Sequence, residues 1–141
     1  FGIGSIVGNI LGGYYADKNM NVTLYGALGS LVLSMLILFF LGKYPWFTGP
    51  WMFVVGAAGF SIISPLTSKL IDAASSAPNL ATTVNIAGFQ LANAVGAWIG
   101  SMSLSLGLGL GVLPLLGAVL ALAAAALLWV ANTFTSNYET K

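Results

Sequence analysis

Long apolar segments alternate with short breaks along the whole chain. The apolar segments cover about residues 1–16, 23–42, 52–70, 81–106 and 113–132. An α-helix rises about 1.5 Å per residue, so four segments approach or exceed the hydrocarbon thickness of about 30 Å, and the first, at about 24 Å, falls slightly short. The pattern therefore predicts an all-α membrane bundle of five transmembrane helices with no soluble domain, followed by a polar tail over residues 133–141.

Glycine and proline mark the breaks. No charged residue occurs between residues 81 and 132, and one helix of that length would measure about 78 Å, so the chain must turn back at the sequence GLGLG, residues 107–111. Pro45 and Pro50 stand among aromatic residues, which predicts a non-helical loop at the membrane–water interface over residues 44–51. Pro65 lies inside the third segment and is expected to kink it.

The composition excludes most soluble classes of protein. Of the 141 residues, 58% are hydrophobic and 5% are charged, whereas soluble domains carry about 25% charged residues. The net charge of +1 gives no field for nucleic acid, and the absence of Cys and His excludes disulfides and the usual zinc sites. No nucleophile–base pair or phosphate loop is present either. The sequence therefore predicts a non-enzyme without a cofactor or metal, embedded in lipid.

Small residues recur every four positions in two of the segments. The first segment carries such a stripe at Gly4, Gly8 and Gly12. The fourth segment carries a second stripe of Gly88, Ala92, Gly96 and Gly100. Residues four apart share one helix face, and small residues let two membrane helices approach closely. The first stripe is therefore expected to pack against the backbone of a neighbouring helix.

Amide side chains concentrate on the fourth segment, at Asn85, Gln90 and Asn93. An amide in hydrocarbon is costly unless it is hydrogen-bonded, so these side chains must face protein or a water-filled cavity. They are either contacts that hold helices together or the wall of a substrate path. The same alternatives apply to Asn9 in the first segment. The hydroxyls around Pro65, those of Ser61, Ser64 and Thr67, are expected either to bond their own helix or to line a pore.

The few charged residues allow an orientation to be predicted. Lys18, Lys69 and Lys141 fall on one side of the predicted membrane and Lys43 on the other, which places the first three in the cytoplasm. Lys69 and Asp72 are three residues apart and are able to pair on one helix face. No carboxylate lies within a predicted span, so a proton-coupling site is not expected in this part of the protein.

Two stretches resemble the major facilitator superfamily, in particular its bacterial arabinose-efflux and multidrug-efflux branch. Residues 8–18, GNILGGYYADK, resemble the eighth helix of that branch and the G-x-x-A-D-R/K loop motif that follows it, here Gly13, Asp17 and Lys18. Residues 65–97 resemble its tenth and eleventh helices. The sequence NMNV at residues 19–22 replaces the glycine and basic cluster of the family, so the gating charge network expected at this loop is weakened.

The resemblance implies that the chain comprises helices eight to twelve of a twelve-helix transporter and lacks the N-terminal half and the seventh helix. A start at Phe1, within an apolar helix, leads to the same expectation of a longer protein. The implied function is proton-coupled efflux of sugars or drug-like solutes across the bacterial inner membrane by alternating access. The residues expected to line the cavity are Asn9, Ser64, Asn85, Gln90 and Asn93. The competing interpretation is a five-helix membrane assembly subunit that transports nothing.

Overall fold

The computed structural model describes the backbone of residues 1–139 and the side chains of residues 1–133. This part of the chain contains helices and turns and no strand, so the predicted all-α class is confirmed. The helices are α1 (Gly2–Ala16), α2 (Met20–Leu41), α3 (Pro45–Phe60), α4 (Ile63–Ala73), α5 (Pro78–Ser105) and α6 (Leu113–Glu139). The last helix extends beyond the predicted end of the fifth segment at residue 132, and Thr140 and Lys141 lie outside the described residues.

The predicted loop over residues 44–51 is wrong, because α3 begins at Pro45. Proline suits the first position of a helix, where its missing N–H would have no partner in any case. Pro50 lies only five residues further along, so the single hydrogen bond that it removes would have been made to the first turn. The hydroxyl of Thr48 donates to the carbonyl of Tyr44, four residues earlier, at 3.0 Å.

The predicted third span consists of two helices, α3 and α4, separated by a break at residues 61 and 62. Pro65 explains the position of the break. Its ring clashes with the carbonyl four residues earlier, that of Ser61, and it has no N–H to bond that carbonyl. Ser61 and Ile62 keep right-handed helical dihedrals, so the expected kink is an interruption of the helical hydrogen bonding one turn before the proline.

The turn between α5 and α6 is where the sequence predicted it. α5 ends at Ser105, and a short 3-10 turn over Leu110–Val112 leads into α6. Gly107 has φ of 75° and Gly109 has φ of 72°, a left-handed backbone conformation that residues with a Cβ rarely adopt. The two glycines thus allow the chain to reverse direction in a few residues.

The glycine stripe of α1 packs directly on the backbone of α3, as predicted. Gly4, Gly8 and Gly12 are all buried. A Cβ added to Gly8 would lie 2.6 Å from Cα of Ala57, and one added to Gly12 would lie 2.8 Å from Cα of Ser61. Gly4 faces Phe53 in the same way, so the contact repeats every four residues along both helices.

The most buried side chains lie on α2, which packs on α1, α3 and α6. Leu24 is 1% exposed, and Ser34 is buried beside the contact with α3. There the indole Nε1 of Trp51 donates a hydrogen bond of 2.9 Å to the carbonyl of Ser34. By contrast, α5 packs mainly on the short α4, and its middle part lies outside this core.

Three segments of the described chain are long and apolar enough to cross a membrane: Met20–Leu41, the α3–α4 pair over Pro45–Ala73, and Leu110–Thr133. α1, with 15 residues, is shorter than a span normally requires. α5 has 28 residues, but its amides and hydroxyls make it less apolar than the other long helices. The fold is therefore that of a membrane helix bundle, of which three spans can be recognised by length and composition.

Candidate functional site: the polar face of α5

Asn85 is the one member of the predicted amide cluster that is tied to another helix. Its Nδ2 donates a hydrogen bond of 3.0 Å to Oγ1 of Thr67, which connects α5 to α4. Thr67 in turn donates from the same hydroxyl to the carbonyl of Ile63 at 2.8 Å. The Asn85 side chain is half-buried. The contact agrees with the interpretation of Asn85 as a residue that holds helices together.

Gln90 and Asn93 are exposed and lie one turn apart on α5. Within the described residues these side chains hydrogen-bond only each other, through a bond of 3.4 Å from Nδ2 of Asn93 to Oε1 of Gln90. That distance is at the long end for such a bond and leaves most of the hydrogen-bonding capacity of both amides unused. The structure therefore separates Asn85, which bonds a neighbouring helix, from the pair that does not.

A groove of about 680 Å³ runs between α4 and the first half of α5. Its walls are mainly aliphatic and aromatic, with Leu66 and Leu70 on α4 and Val84 and Phe89 on α5. Asn85 contributes the only amide or charged side chain to the lining. The groove thus offers an apolar surface with a single strongly polar point.

The two remaining predicted cavity residues lie on other helices. Ser64 is half-buried, and its Oγ lies 3.1 Å from the position of a Cβ on Gly13, so it faces α1. Asn9 is exposed on α1 and makes no side-chain hydrogen bond within residues 1–133. The expected bonding of hydroxyls to their own helix is observed for Ser61, which donates to Ala58, and for Thr67.

The charged side chains of the loop motif, Asp17 and Lys18, do not pair with each other. Lys18 places Nζ 4.7 Å from the ring centroid of Tyr14, a cation–π distance, and it also lies near Tyr15. Asp17 caps α1 through its backbone N–H, which bonds the carbonyl of Gly13 at 3.2 Å, and its side chain is exposed. The motif therefore ends α1 without an ion pair within it.

The end of the bundle that carries Lys18 also holds a cluster of polar side chains. This cluster was not predicted from the sequence. We call it the Lys69 cluster, and it consists of Lys69, Asn21, Asn132 and Tyr25. Nζ of Lys69 donates to Oδ1 of Asn21 at 3.1 Å and to Oδ1 of Asn132, whose Nδ2 donates to Oη of Tyr25 at 3.1 Å. The cluster joins α4, α2 and α6. Lys69 thus bonds amides rather than Asp72, the partner that the spacing suggested.

The chain is similar to known membrane transport proteins. It is 40% identical over 129 residues to the inner membrane transport protein YdhP of Escherichia coli strain K12, covering 92% of this chain and 33% of that protein. It is 31% identical over 104 residues to the uncharacterized MFS-type transporter YfhI of Bacillus subtilis strain 168, covering 74% of this chain and 26% of that protein. No protein-family model and no solved structure matches the chain.

These similarities support the resemblance to the major facilitator superfamily. The chain spans about a third of the length of the first relative and a smaller share of the second. Together with the three apolar helices, the similarities confirm the prediction of a multi-pass protein of the cell membrane.

Proposed function

We propose that this chain is part of a secondary transporter of the major facilitator superfamily in a bacterial inner membrane. The observation that carries the proposal is the 40% identity to an inner membrane transport protein over 92% of the chain. In this proposal α1, α2, the α3–α4 pair, α5 and α6 are the last five of twelve helices, and the preceding helices belong to the same protein. Its activity is movement of a solute across the membrane rather than catalysis.

The polar face of α5 forms one wall of the solute cavity in this proposal. Secondary transporters bind their solutes near the middle of the membrane, between two halves that rock against each other. Gln90 and Asn93 lie near the middle of α5, and a pair of amides facing lipid would be costly. A water-filled cavity that admits a polar solute supplies the hydrogen bonds that the described helices do not.

The solute is a sugar or a drug-like molecule, and its export is driven by protons. No Asp or Glu lies within any of the five apolar segments, so this part of the protein is not where a proton would be exchanged. In the proposal the coupling carboxylate belongs to the other helices of the transporter. The wall on α5 then contributes to solute binding and not to coupling.

The test is the substitution of Gln90→Ala and Asn93→Ala in the full-length transporter. Efflux should fall by roughly two- to tenfold in each, the equivalent of one hydrogen bond, while abundance and melting temperature stay unchanged. Val95→Ala, an exposed apolar position on the same helix, is the matched control and should transport normally. Unchanged efflux in both amide variants at normal abundance would remove these residues from the site.

The orientation can be tested separately by chemical labelling. Trp46 is 94% exposed at the start of α3, and Ser76 lies in the loop between α4 and α5, at the opposite end of the bundle. With single cysteines at these positions, Trp46→Cys should react with an impermeant thiol reagent added outside intact cells. Ser76→Cys should react only after the cells are opened, and the reverse pattern would contradict the orientation.

A further inference from the structure

We infer that Thr67 is a positioning residue for solute binding, because its hydroxyl fixes the orientation of the Asn85 amide and turns the amide oxygen of Asn85 toward the solute. The inference rests on the proposed transport function. It adds a residue on α4 to a site otherwise assigned to α5, and it specifies that the amide oxygen of Asn85 is left as an acceptor for a ligand.

The hydrogen-bonding capacity of the two side chains sets this orientation. A threonine hydroxyl has one proton, and that of Thr67 is donated to the carbonyl of Ile63 at 2.8 Å. The hydroxyl oxygen is left as an acceptor, so only the amide nitrogen of Asn85 can bond it, at 3.0 Å. Oδ1 of Asn85 therefore points away from Thr67, and no donor within residues 1–133 bonds it.

The hydrogen bond between Thr67 and Asn85 matters for the orientation of α5 because of where α4 lies. α4 has 11 residues, and the helical hydrogen bonding between it and α3 is interrupted at residues 61 and 62, beside Pro65. α5 packs mainly on α4, and Thr67–Asn85 is the side-chain hydrogen bond that joins them. Loss of the bond would leave both the amide of Asn85 and the rotation of α5 less well fixed.

The same geometry indicates what kind of group Asn85 recognises. The groove between α4 and α5 is apolar apart from Asn85, whose Oδ1 is an acceptor and whose second Nδ2 proton bonds nothing within residues 1–133. The solute group that binds at Oδ1 is accordingly a hydrogen-bond donor, a hydroxyl or an N–H. A hydroxyl, which both donates and accepts, is able to bond both atoms of the amide.

The decisive experiment compares Thr67→Val with Thr67→Ser in the full-length transporter. Valine keeps the shape of threonine without the hydroxyl, whereas serine keeps the hydroxyl. Ethidium and arabinose, both of which carry donor groups, serve as probes of export. Thr67→Val should raise the half-saturating probe concentration by about two- to tenfold at an unchanged maximal rate, and Thr67→Ser should restore it. Thr83→Val is the matched control, because among residues 1–133 the hydroxyl of Thr83 bonds only the carbonyl of Asn79 in its own helix.

A double-mutant cycle distinguishes action through Asn85 from an independent effect. In an Asn85→Leu background, Thr67→Val should cause no additional change in export or in melting temperature. An equal change in both backgrounds, or a Thr67→Val variant that behaves like the unmodified protein, would overturn the inference. If the unmodified protein exports neither probe, the proposed solute class is wrong, and the melting-temperature cycle alone decides: additive shifts contradict the inference and non-additive shifts support it.

Discussion

Two helices carry the same spacing of small residues and have opposite surroundings. On α1, the glycines at four-residue intervals are buried against the backbone of α3. On α5, a Cβ added to Gly88 or Gly96 would meet no atom of the described chain within 4 Å, and one added to Gly100 would reach only Leu113, at 3.9 Å. The four-residue spacing of small residues therefore predicts that another helix is able to pack closely on that face. It does not predict which helix packs there.

The amide side chains of α5 also differ in whether a neighbouring helix contacts them. Asn85 lies where α5 still contacts α4 and is hydrogen-bonded across the two helices, whereas Gln90 and Asn93 lie further along α5, beyond that contact. α5 thus changes along its length from a helix that packs within this part of the protein to one that presents small and polar residues outward. The proposed function assigns that outward face to the solute cavity and to the remaining helices of the transporter.

The largest expected effect is at the buried stripe. Gly12→Leu should destabilise the full-length transporter by about 1–3 kcal/mol, because the added side chain would meet the backbone of Ser61, which cannot move aside as a side chain can. Melting temperature and abundance in the membrane are the measurements. Gly96→Leu makes the same change on α5, where a Cβ meets nothing within 4 Å in the described chain, so it should cost less if this face borders the solute cavity. An equal loss of stability would mean that another helix of the transporter packs on α5 as closely as α3 packs on α1.

Much of the fold could be predicted because the signals are local. The spacing of Gly4, Gly8 and Gly12 indicates which face of α1 packs, and the glycines at 107–111 indicate where the chain turns back. The start of α3 could not be predicted by treating proline as a helix breaker, because Pro45 occupies the first helical position, where proline is well tolerated.

The candidate site was predicted less completely, because it depends on contacts between distant residues. Asn85 and Thr67 are 18 residues apart, and Lys69 bonds Asn21 and Asn132 across 48 and 63 residues. Nothing in the spacing of these residues indicates such partners, whereas Lys69 and Asp72 share a helix face and are the obvious candidates for a pair. Local periodicity identifies which residues are polar in an apolar segment, and only the packing of the helices identifies what they bond.

The next largest effect is expected for the Lys69 cluster, which holds α4 against α2 and α6. Lys69→Met keeps most of the length of the side chain and removes its bonds to Asn21 and Asn132. Since membrane hydrogen bonds contribute about 0.6 kcal/mol on average and about 1.7 at most, two of them predict a loss of about 1 kcal/mol. Lys43→Met is the control, because Lys43 is exposed and makes no hydrogen bond within residues 1–133. A melting temperature equal to that of the control would show that the cluster does not contribute to stability.

The smallest effect on stability is expected for the exposed amides of α5. Asn93→Ala removes only a 3.4 Å bond to Gln90 on the same helix, so the free energy of unfolding should change by less than about 0.5 kcal/mol. Asn85→Ala removes a bond between helices and should cost about 0.6 kcal/mol, the average for a membrane hydrogen bond. The ratio of lost efflux to lost stability should consequently be larger for Asn93 than for Asn85. If Asn93→Ala proves the more destabilising of the two, Asn93 bonds another helix of the transporter, and its role is to hold helices together rather than to contact solute.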